Sequence, residues 1–246
     1  MTTAGFETWQ WVLMAAGAVL FGMSKTGVPG IGILAVAVFA NVLGARPAAG
    51  VVLPLLICAD LFGVFLYRQH AQWRQLWRLL PWTVAGVVSG WFVLGRVDDH
   101  AAGRLVGALL LAMIGLHFWL RRRRGTVEPP GGLAPGSGIA AGFTTLMANA
   151  AGPVMTVYLL AMRLPKLEFL GTGAVFFAAL NWFKLPFMVQ LDLVNTGSLS
   201  LNLRLLPALL AGVVLGKLAA DRMNQKVFER VALTLTIVAT VKLLFF

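Results

Sequence analysis

Nine apolar segments, spread over almost the whole chain, constrain the fold more than any other feature of this sequence. A water-soluble core cannot enclose so many runs of this length, whereas about 20 apolar residues in a helix span the hydrocarbon core of a bilayer. Hydrophobic residues make up 59% of the chain and the mean hydropathy is +0.84, so we predict an all-α polytopic membrane protein. The segments are residues 9–23, 31–45, 48–67, 78–95, 101–120, 133–162, 169–190, 203–220 and 227–246.

The basic residues are concentrated in short loops between these segments. The net charge of +11 would point to nucleic acid in a soluble protein, but charges in short loops are typical of membrane topology. The positive-inside rule predicts that the loops Arg68–Arg78 and Arg121–Arg124 are cytoplasmic. The expected macromolecular surroundings are therefore the lipid bilayer, with no nucleic acid.

The two halves of the chain repeat each other. Gly-Val-Pro29 aligns with Ala-Gly-Pro153 at an offset of 124 residues (153 − 29), and Leu-Leu-Pro81 aligns with Leu-Leu-Pro207 at an offset of 126 (207 − 81). Internal repeats of this kind are typical of secondary transporters. We therefore predict a first repeat at residues 1–120, a basic cytoplasmic linker at 121–138 and a second repeat at 139–246.

Glycine and proline interrupt the first apolar stretch of each repeat. The breaks lie at Lys25–Gly32, within residues 9–45, and near Gly152-Pro153, within residues 139–162. If each broken helix is a re-entrant hairpin, the basic loops return to the cytoplasm and each repeat has one hairpin plus three transmembrane helices. This odd count predicts two inverted structural repeats. The alternative is a kinked helix that crosses the membrane completely.

Polar residues occur at both predicted breaks, and they are candidates for a binding site. Lys25 and Asn149 are related by the 124-residue offset, and a lysine in lipid costs several kcal/mol unless it has a partner or a watery cavity. Half-helix N-termini at these breaks would present N–H groups to an anion. Gly27, Gly30 and Gly152 would let the backbone approach a ligand, although close helix packing is an alternative role for such glycines.

A second pair of charged residues, Asp60 and Lys184, has the same 124-residue relation. Each lies inside an apolar run, where an isolated charge is expensive. The pair is predicted to form either a structural salt bridge or a coupling device in which Asp60 exchanges a proton as Lys184 binds substrate. Asn181, one helical turn before Lys184, would add a neutral hydrogen bond.

The sequence contains no catalytic motif in a usable context. Cys58 is the only cysteine, the three histidines are scattered, and there is no nucleotide-binding fingerprint. We therefore expect no enzyme activity, no metal and no cofactor, and transport that is secondary or channel-like.

Three stretches of the sequence resemble the TauE/SafE family of sulfite-exporter-like membrane proteins. They read GMSKTGVPGIGILAV, LPLLICADLFGVFLYRQHAQWRQLWRLLPWTVAGVVSG and NAAGPVMTVYLLAMRLPKLEFLGTGAVFFAALNWFKLPF. Ala37 occupies a position where the family often has proline. The residues that match the family pattern are Ser24, Lys25, Gly27, Pro29, Gly30, Asn149, Gly152, Pro153, Asn181 and Lys184.

The resemblance implies movement of small sulfur-containing anions, such as sulfite or sulfonates, across the bacterial cytoplasmic membrane, usually outward. We expect alternating access around the two hairpins, with Lys25 and Lys184 neutralising the anion. Ser24, Asn149 and Asn181 are expected to bind its oxygens. An anion channel, or a transporter of another carboxylated or sulfonated metabolite, is the alternative. Self-association into a homodimer stays open.

Overall fold

The computed structural model describes residues 6–94, 108–109, 111–112, 114–115, 132–149 and 151–245. Those residues form helices and no strand. The predicted loop Arg121–Arg124 and most of segment 101–120 lie outside them. In chain order the helices are α1 (Thr8–Thr26), α2 (Gly32–Leu43), α3 (Ala45–Tyr67), α4 (Trp73–Leu94), α5 (Leu133–Ala148), α6 (Ala151–Ala161), α7 (Lys166–Gln190), α8 (Thr196–Arg222) and α9 (Gln225–Phe245), with a 3-10 turn at Arg68–His70.

The lengths and compositions of these helices fit a membrane protein. Three described stretches are long and apolar enough to span a bilayer: Pro47–His70, Lys166–Gln190 and Thr196–Arg222. By contrast, α2 has 12 residues and α6 has 11, so each is at most about 18 Å long and too short to span the hydrocarbon core. The two short helices therefore need support from the longer ones.

Helices α1 and α2 lie side by side and run in opposite directions. The rings of Phe21 and Phe39 are 5.6 Å apart, and a side chain at Gly32 would meet Ser24. Residues further along α1 thus contact residues nearer the start of α2. The chain reverses through Gly30, whose φ of +92° is accessible to glycine without a Cβ clash. We call this reversal the first tip.

Helices α5 and α6 also reverse the chain. Helix α5 follows α4 in the same direction, and α6 returns to the start of α4. The contacts that show this are Gly138 with Leu79, Leu146 with Gly90, and the Tyr158 hydroxyl, which donates a 2.8 Å hydrogen bond to Gln75 Oε1. We call the reversal between α5 and α6 the second tip.

Two boundaries differ from the sequence prediction. The second tip lies at Asn149, which has φ 50°, a left-handed conformation that asparagine adopts more readily than most residues. The break predicted near Gly152-Pro153 is present but lies slightly earlier in the chain, because Pro153 is in the first turn of α6, where its missing N–H removes no helical hydrogen bond. In addition, α5 begins at Leu133, inside the predicted linker of residues 121–138.

The first helix of each hairpin packs against a helix from the other half of the chain. A methyl group at Gly22 would overlap the backbone of α8 at Gly212, and one at Gly142 would overlap the Thr83 carbonyl of α4. Small residues at these points let the helix backbones approach closely. Helices α3 and α7 contact each other between the hairpins, with Asp60 beside Asn181. This arrangement brings both tips to the middle of the molecule.

Candidate functional site

A cavity of about 70 Å³ lies between the two tips. A buried water needs about 10–15 Å³ on this measure, so the cavity has room for one small ion or a few waters. Both hairpins line it, together with α3 and α7. The polar side chains in its wall are Ser24, Lys25, Thr145, Asn149, Thr156 and Asn181, and the apolar ones include Phe21, Leu56, Phe169 and Phe177.

Lys25 is the charged residue of the cavity wall among the described residues. Its side chain is 8% exposed, and its Nζ lies 2.8 Å from Asp60 Oδ1. The same Nζ lies 3.9 Å from the ring centre of Phe177, where the negative face of the aromatic ring attracts a cation. Lys25 therefore reaches the cavity while its charge is balanced from behind.

Asp60 is fully buried and lies behind the cavity wall. Its Oδ2 accepts a 2.6 Å hydrogen bond from Asn181 Nδ2, while Lys25 contacts Oδ1. Removing one partner of a buried ion pair costs about 3–5 kcal/mol, because the other charge stays buried without compensation. The carboxylate thus fixes the position of the Lys25 ammonium.

Lys184 supports the second tip and is 1% exposed. Its Nζ donates a 2.6 Å hydrogen bond to Asn149 Oδ1, and Thr145 Oγ1 and the Thr145 carbonyl lie 3.3 and 3.4 Å away. These three oxygens can satisfy the three donors of an ammonium group. All three are neutral, and no described carboxylate lies within ion-pair distance of Lys184. Its charge is therefore not compensated by an anion of the described residues.

Two asparagines of the cavity wall are oriented by the charges behind them. Because a lysine only donates hydrogen bonds, Asn149 must turn Oδ1 towards Lys184, which leaves its Nδ2 hydrogens for a ligand. Asn181 is turned the other way, with Nδ2 on the Asp60 carboxylate and Oδ1 left as an acceptor. The second tip thus offers donors to the cavity.

The N-termini of both short helices also face the cavity. Gly32 and Ile33 begin α2, Ala151 and Gly152 begin α6, and all four residues line the cavity. The first N–H groups of a helix have no partner within the helix, and its dipole gives that end a partial positive charge. Together with the Lys25 ammonium, these ends form an environment that suits an anion.

The sequence matches a known transporter family along most of its length. A model of the family described as "Sulfite exporter TauE/SafE" matches residues 13–243. The chain belongs to this family. Two relatives described as "Probable membrane transporter protein MamO", from Magnetospirillum gryphiswaldense and Paramagnetospirillum magneticum, are 43% and 38% identical to it over 47 residues. That match covers 19% of this chain and only 7% of each relative. No solved structure matches the chain.

Membership of the TauE/SafE family confirms the resemblance that the motifs suggest. It also fits the expectation that the chain is not an enzyme. Among the described residues, no group of three or more histidine, cysteine, aspartate or glutamate residues is placed to hold a metal ion.

The structure of this TauE/SafE protein brings most of the predicted site residues to the cavity, with two exceptions. Gly27 packs against α8, where a methyl group would overlap the Gly216 carbonyl, so this glycine serves helix packing. Lys184 lies behind Asn149 and does not line the cavity. The predicted residues in the wall are Ser24, Lys25, Gly30, Asn149, Gly152 and Asn181.

The salt bridge predicted between Asp60 and Lys184 is not formed, because Asp60 pairs with Lys25. Helix α2 ends at Leu43 and α3 begins at Ala45, so α3 runs back past the first tip immediately after the hairpin. This short connection brings the Asp60 carboxylate to the lysine of its own half. The relation by sequence offset did not indicate which residues meet.

Sequence reasoning missed Thr145 and Phe177. Thr145 is next to Thr144, whose hydroxyl bonds back to the Ala140 carbonyl as membrane threonines commonly do, yet Thr145 accepts from Lys184. Phe177 precedes Asn181 by four residues on α7, so the two share a helix face. That spacing was the available signal for Phe177.

Proposed function

We propose that this protein is a secondary transporter, and in the cell an exporter, of small sulfur-containing anions such as sulfite or organosulfonates. One observation carries the proposal: the Lys25 ammonium and the N-termini of two short helices surround a single cavity of about 70 Å³. The description of the family, sulfite exporter, supports the sulfur chemistry.

The cavity offers donors that suit the oxygens of such an anion. In the proposed complex, Lys25 contacts the anion directly and Ser24 donates its hydroxyl. The Nδ2 group of Asn149 and the first N–H groups of α2 and α6 complete the donor set. Lys184 acts through Asn149, since it holds the amide in the orientation that leaves its donors to the cavity.

Inverted repeats and alternating access are part of this proposal. Helix α1 of the first half packs in parallel on α8, and α5 of the second half packs in parallel on α4. The helices α4 and α8 carry the Leu-Leu-Pro motifs that end in Pro81 and Pro207. In each half, the first helix of the hairpin thus packs on a helix of the other half. Two repeats related by a pseudo-two-fold axis in the membrane plane would produce this packing. The hairpins would then enter an inner membrane from opposite sides, with the Arg68–Arg78 loop cytoplasmic.

Export of an anion would not need a second ion gradient. The interior of a bacterial cell is electrically negative, and moving one charge through 100 mV is worth about 2.3 kcal/mol. The membrane potential alone would therefore drive the anion outward.

The test is potential-driven sulfite flux in proteoliposomes that contain wild type, Lys25→Met or Lys217→Met. Lys217 is the matched control, because it is an exposed lysine that is ion-paired with Asp221 on α8. We expect saturable flux that is lost in Lys25→Met and kept in Lys217→Met. Equal flux in all three proteins would contradict a site at the first tip. Flux that does not saturate with concentration would favour the anion channel.

A further inference from the structure

The charged cluster in and behind the cavity wall has a formal charge of +1. It contains the ammonium groups of Lys25 and Lys184 and the carboxylate of Asp60. Asp60 and Lys184 are buried and the Lys25 side chain is 8% exposed; the distances show one ion pair, Lys25–Asp60, and three neutral oxygens within hydrogen-bond reach of Lys184 Nζ. The cluster as a whole therefore carries one more positive charge than its carboxylate balances.

Among the described residues, the helices packed around Asp60 add no other charged group to the cluster of Lys25, Asp60 and Lys184. Lys25 comes from α1, Asn181 and Lys184 come from α7, and α2 has no titratable residue. Other titratable residues of α3 itself are Cys58 and Tyr67, whose hydroxyl donates to the Thr26 carbonyl. On α8, Arg204 lies over the Trp11 ring, Lys217 pairs with Asp221, and Arg222 is exposed at the end of the helix.

Net charge is expensive in such a site because the surroundings solvate ions poorly. Each uncompensated ion keeps its full desolvation penalty, so the loaded site is most stable when its charges sum to zero. A monoanion achieves this balance with Asp60 ionised. A dianion leaves one negative charge in excess unless Asp60 takes up a proton.

We propose that Asp60 sets the charge that each transport cycle moves, an inference that rests on the proposed function. A monoanion binds alone, and a dianion binds together with one proton on Asp60. Each turnover then moves one net negative charge. When Lys25 turns to the dianion, the Oδ1 atom of Asp60 accepts the proton, since Lys25 is its one polar partner among the described residues while Oδ2 is held by Asn181. The carboxyl group returns the proton to water on the release side as the dianion leaves.

The first test uses the wild-type protein with methanesulfonate and sulfate, which keep charges of one and two between about pH 6 and 8. Substrate uptake, current and proton movement are measured in the same proteoliposomes. We expect one net charge per molecule for both anions, proton uptake with sulfate only, and faster sulfate uptake at lower pH. Two net charges per sulfate, or protons moving with methanesulfonate, would overturn the proposal.

The second test is Asp60→Asn, which changes the cluster to a charge of +2, with the exposed Asp221→Asn as its control. The variant should shift the ratio of sulfate to methanesulfonate uptake by about tenfold or more in favour of sulfate, and sulfate should then move without a proton. An unchanged ratio in folded protein would overturn the proposal. If Asp60→Asn does not fold, the net charge that wild type moves per transported anion still tests the proposal.

These experiments separate the two proposals. If wild type transports sulfite but does not move one net negative charge per anion, only the proposed role of Asp60 is overturned. If wild type transports neither sulfite, methanesulfonate nor sulfate, both the proposed function and the proposed role of Asp60 are overturned.

Discussion

The two hairpin tips carry different residues, a lysine and an asparagine, at positions related by the 124-residue offset. At the first tip the lysine, Lys25, is in the cavity wall and the buried partner on the next long helix is the carboxylate of Asp60. At the second tip an amide, Asn149, is in the wall and the buried partner is the ammonium of Lys184. Each tip is thus tied to a helix of its own half.

This difference separates binding from support. The first tip has a complete ion pair, so it can present a cation to the cavity without leaving a charge unbalanced. The second tip has its cation behind the wall, where three neutral oxygens hold it. We therefore expect that the first tip depends on its pair for folding, while the second tip depends on its lysine mainly for the orientation of Asn149.

The largest expected effect is at the first tip. Lys25→Met leaves the Asp60 carboxylate buried without its cation, so the free energy of unfolding should fall by about 3–5 kcal/mol. Chemical unfolding in detergent measures this change. The double variant Lys25→Met/Asp60→Asn should recover most of the loss, since it removes both charges. If Lys25→Met were as stable as wild type, the first tip would not depend on its ion pair for folding.

Next in size is the contrast between two glycines of the tips. In Gly27→Ala the new methyl group overlaps the Gly216 carbonyl, and such overpacking costs about 1–3 kcal/mol. In Gly152→Ala the methyl group meets open space in the cavity wall, so stability should change little while sulfite flux falls because the cavity is smaller. Thermal unfolding and flux of both variants check this. Equal destabilisation would show that both glycines serve packing.

At the second tip we expect a smaller loss of stability. Lys184→Met removes an ammonium that has no anionic partner among the described residues, and it leaves Asn149 and Thr145 without a donor. The cost of such neutral unsatisfied groups is about 1–3 kcal/mol, and the expected loss lies at the low end because the desolvation penalty of the charge is relieved. The sulfite KM should rise because the Asn149 amide is no longer oriented. A loss as large as that of Lys25→Met would show that the two tips are alike.

The smallest effect concerns the aromatic ring beside Lys25. Phe177→Leu keeps an apolar side chain, of smaller volume, and removes the cation–π contact, which is worth about 0.5–2 kcal/mol. The same unfolding assay measures it, with Phe183→Leu, an exposed position on the same helix, as the control. Equal changes in both variants would assign no role to the cation.

The sequence predicts the helical membrane fold and four of the six polar side chains of the cavity wall, for reasons that are visible in single residues. Lys25 stands out because a charge within an apolar run needs a partner. Gly30 marks the first reversal because few other residues adopt its positive φ. The 124-residue offset from Lys25 points to Asn149, and the helical spacing from Lys184 points to Asn181.

The pairing of the charges could not be predicted from the repeat alone. The offset relates Asp60 to Lys184, but the contact is decided by α3 following the first hairpin after a short connection. The sequence placed the second tip only to within a few residues, since a Gly-Pro pair is compatible with a helix start as well as with a bend. Only the backbone shows that Asn149 makes the reversal.

The most direct test of the account compares potential-driven sulfite flux in two double variants. Lys25→Met/Asp60→Asn removes the buried pair of the first tip, and Lys217→Met/Asp221→Asn removes the exposed pair of α8. Surface pairs contribute only about 0–1 kcal/mol, so the second variant is a matched control for the loss of one lysine and one carboxylate. The account predicts that folded protein of the first variant has no saturable flux while the second transports like wild type. Wild-type flux in the first variant would contradict it.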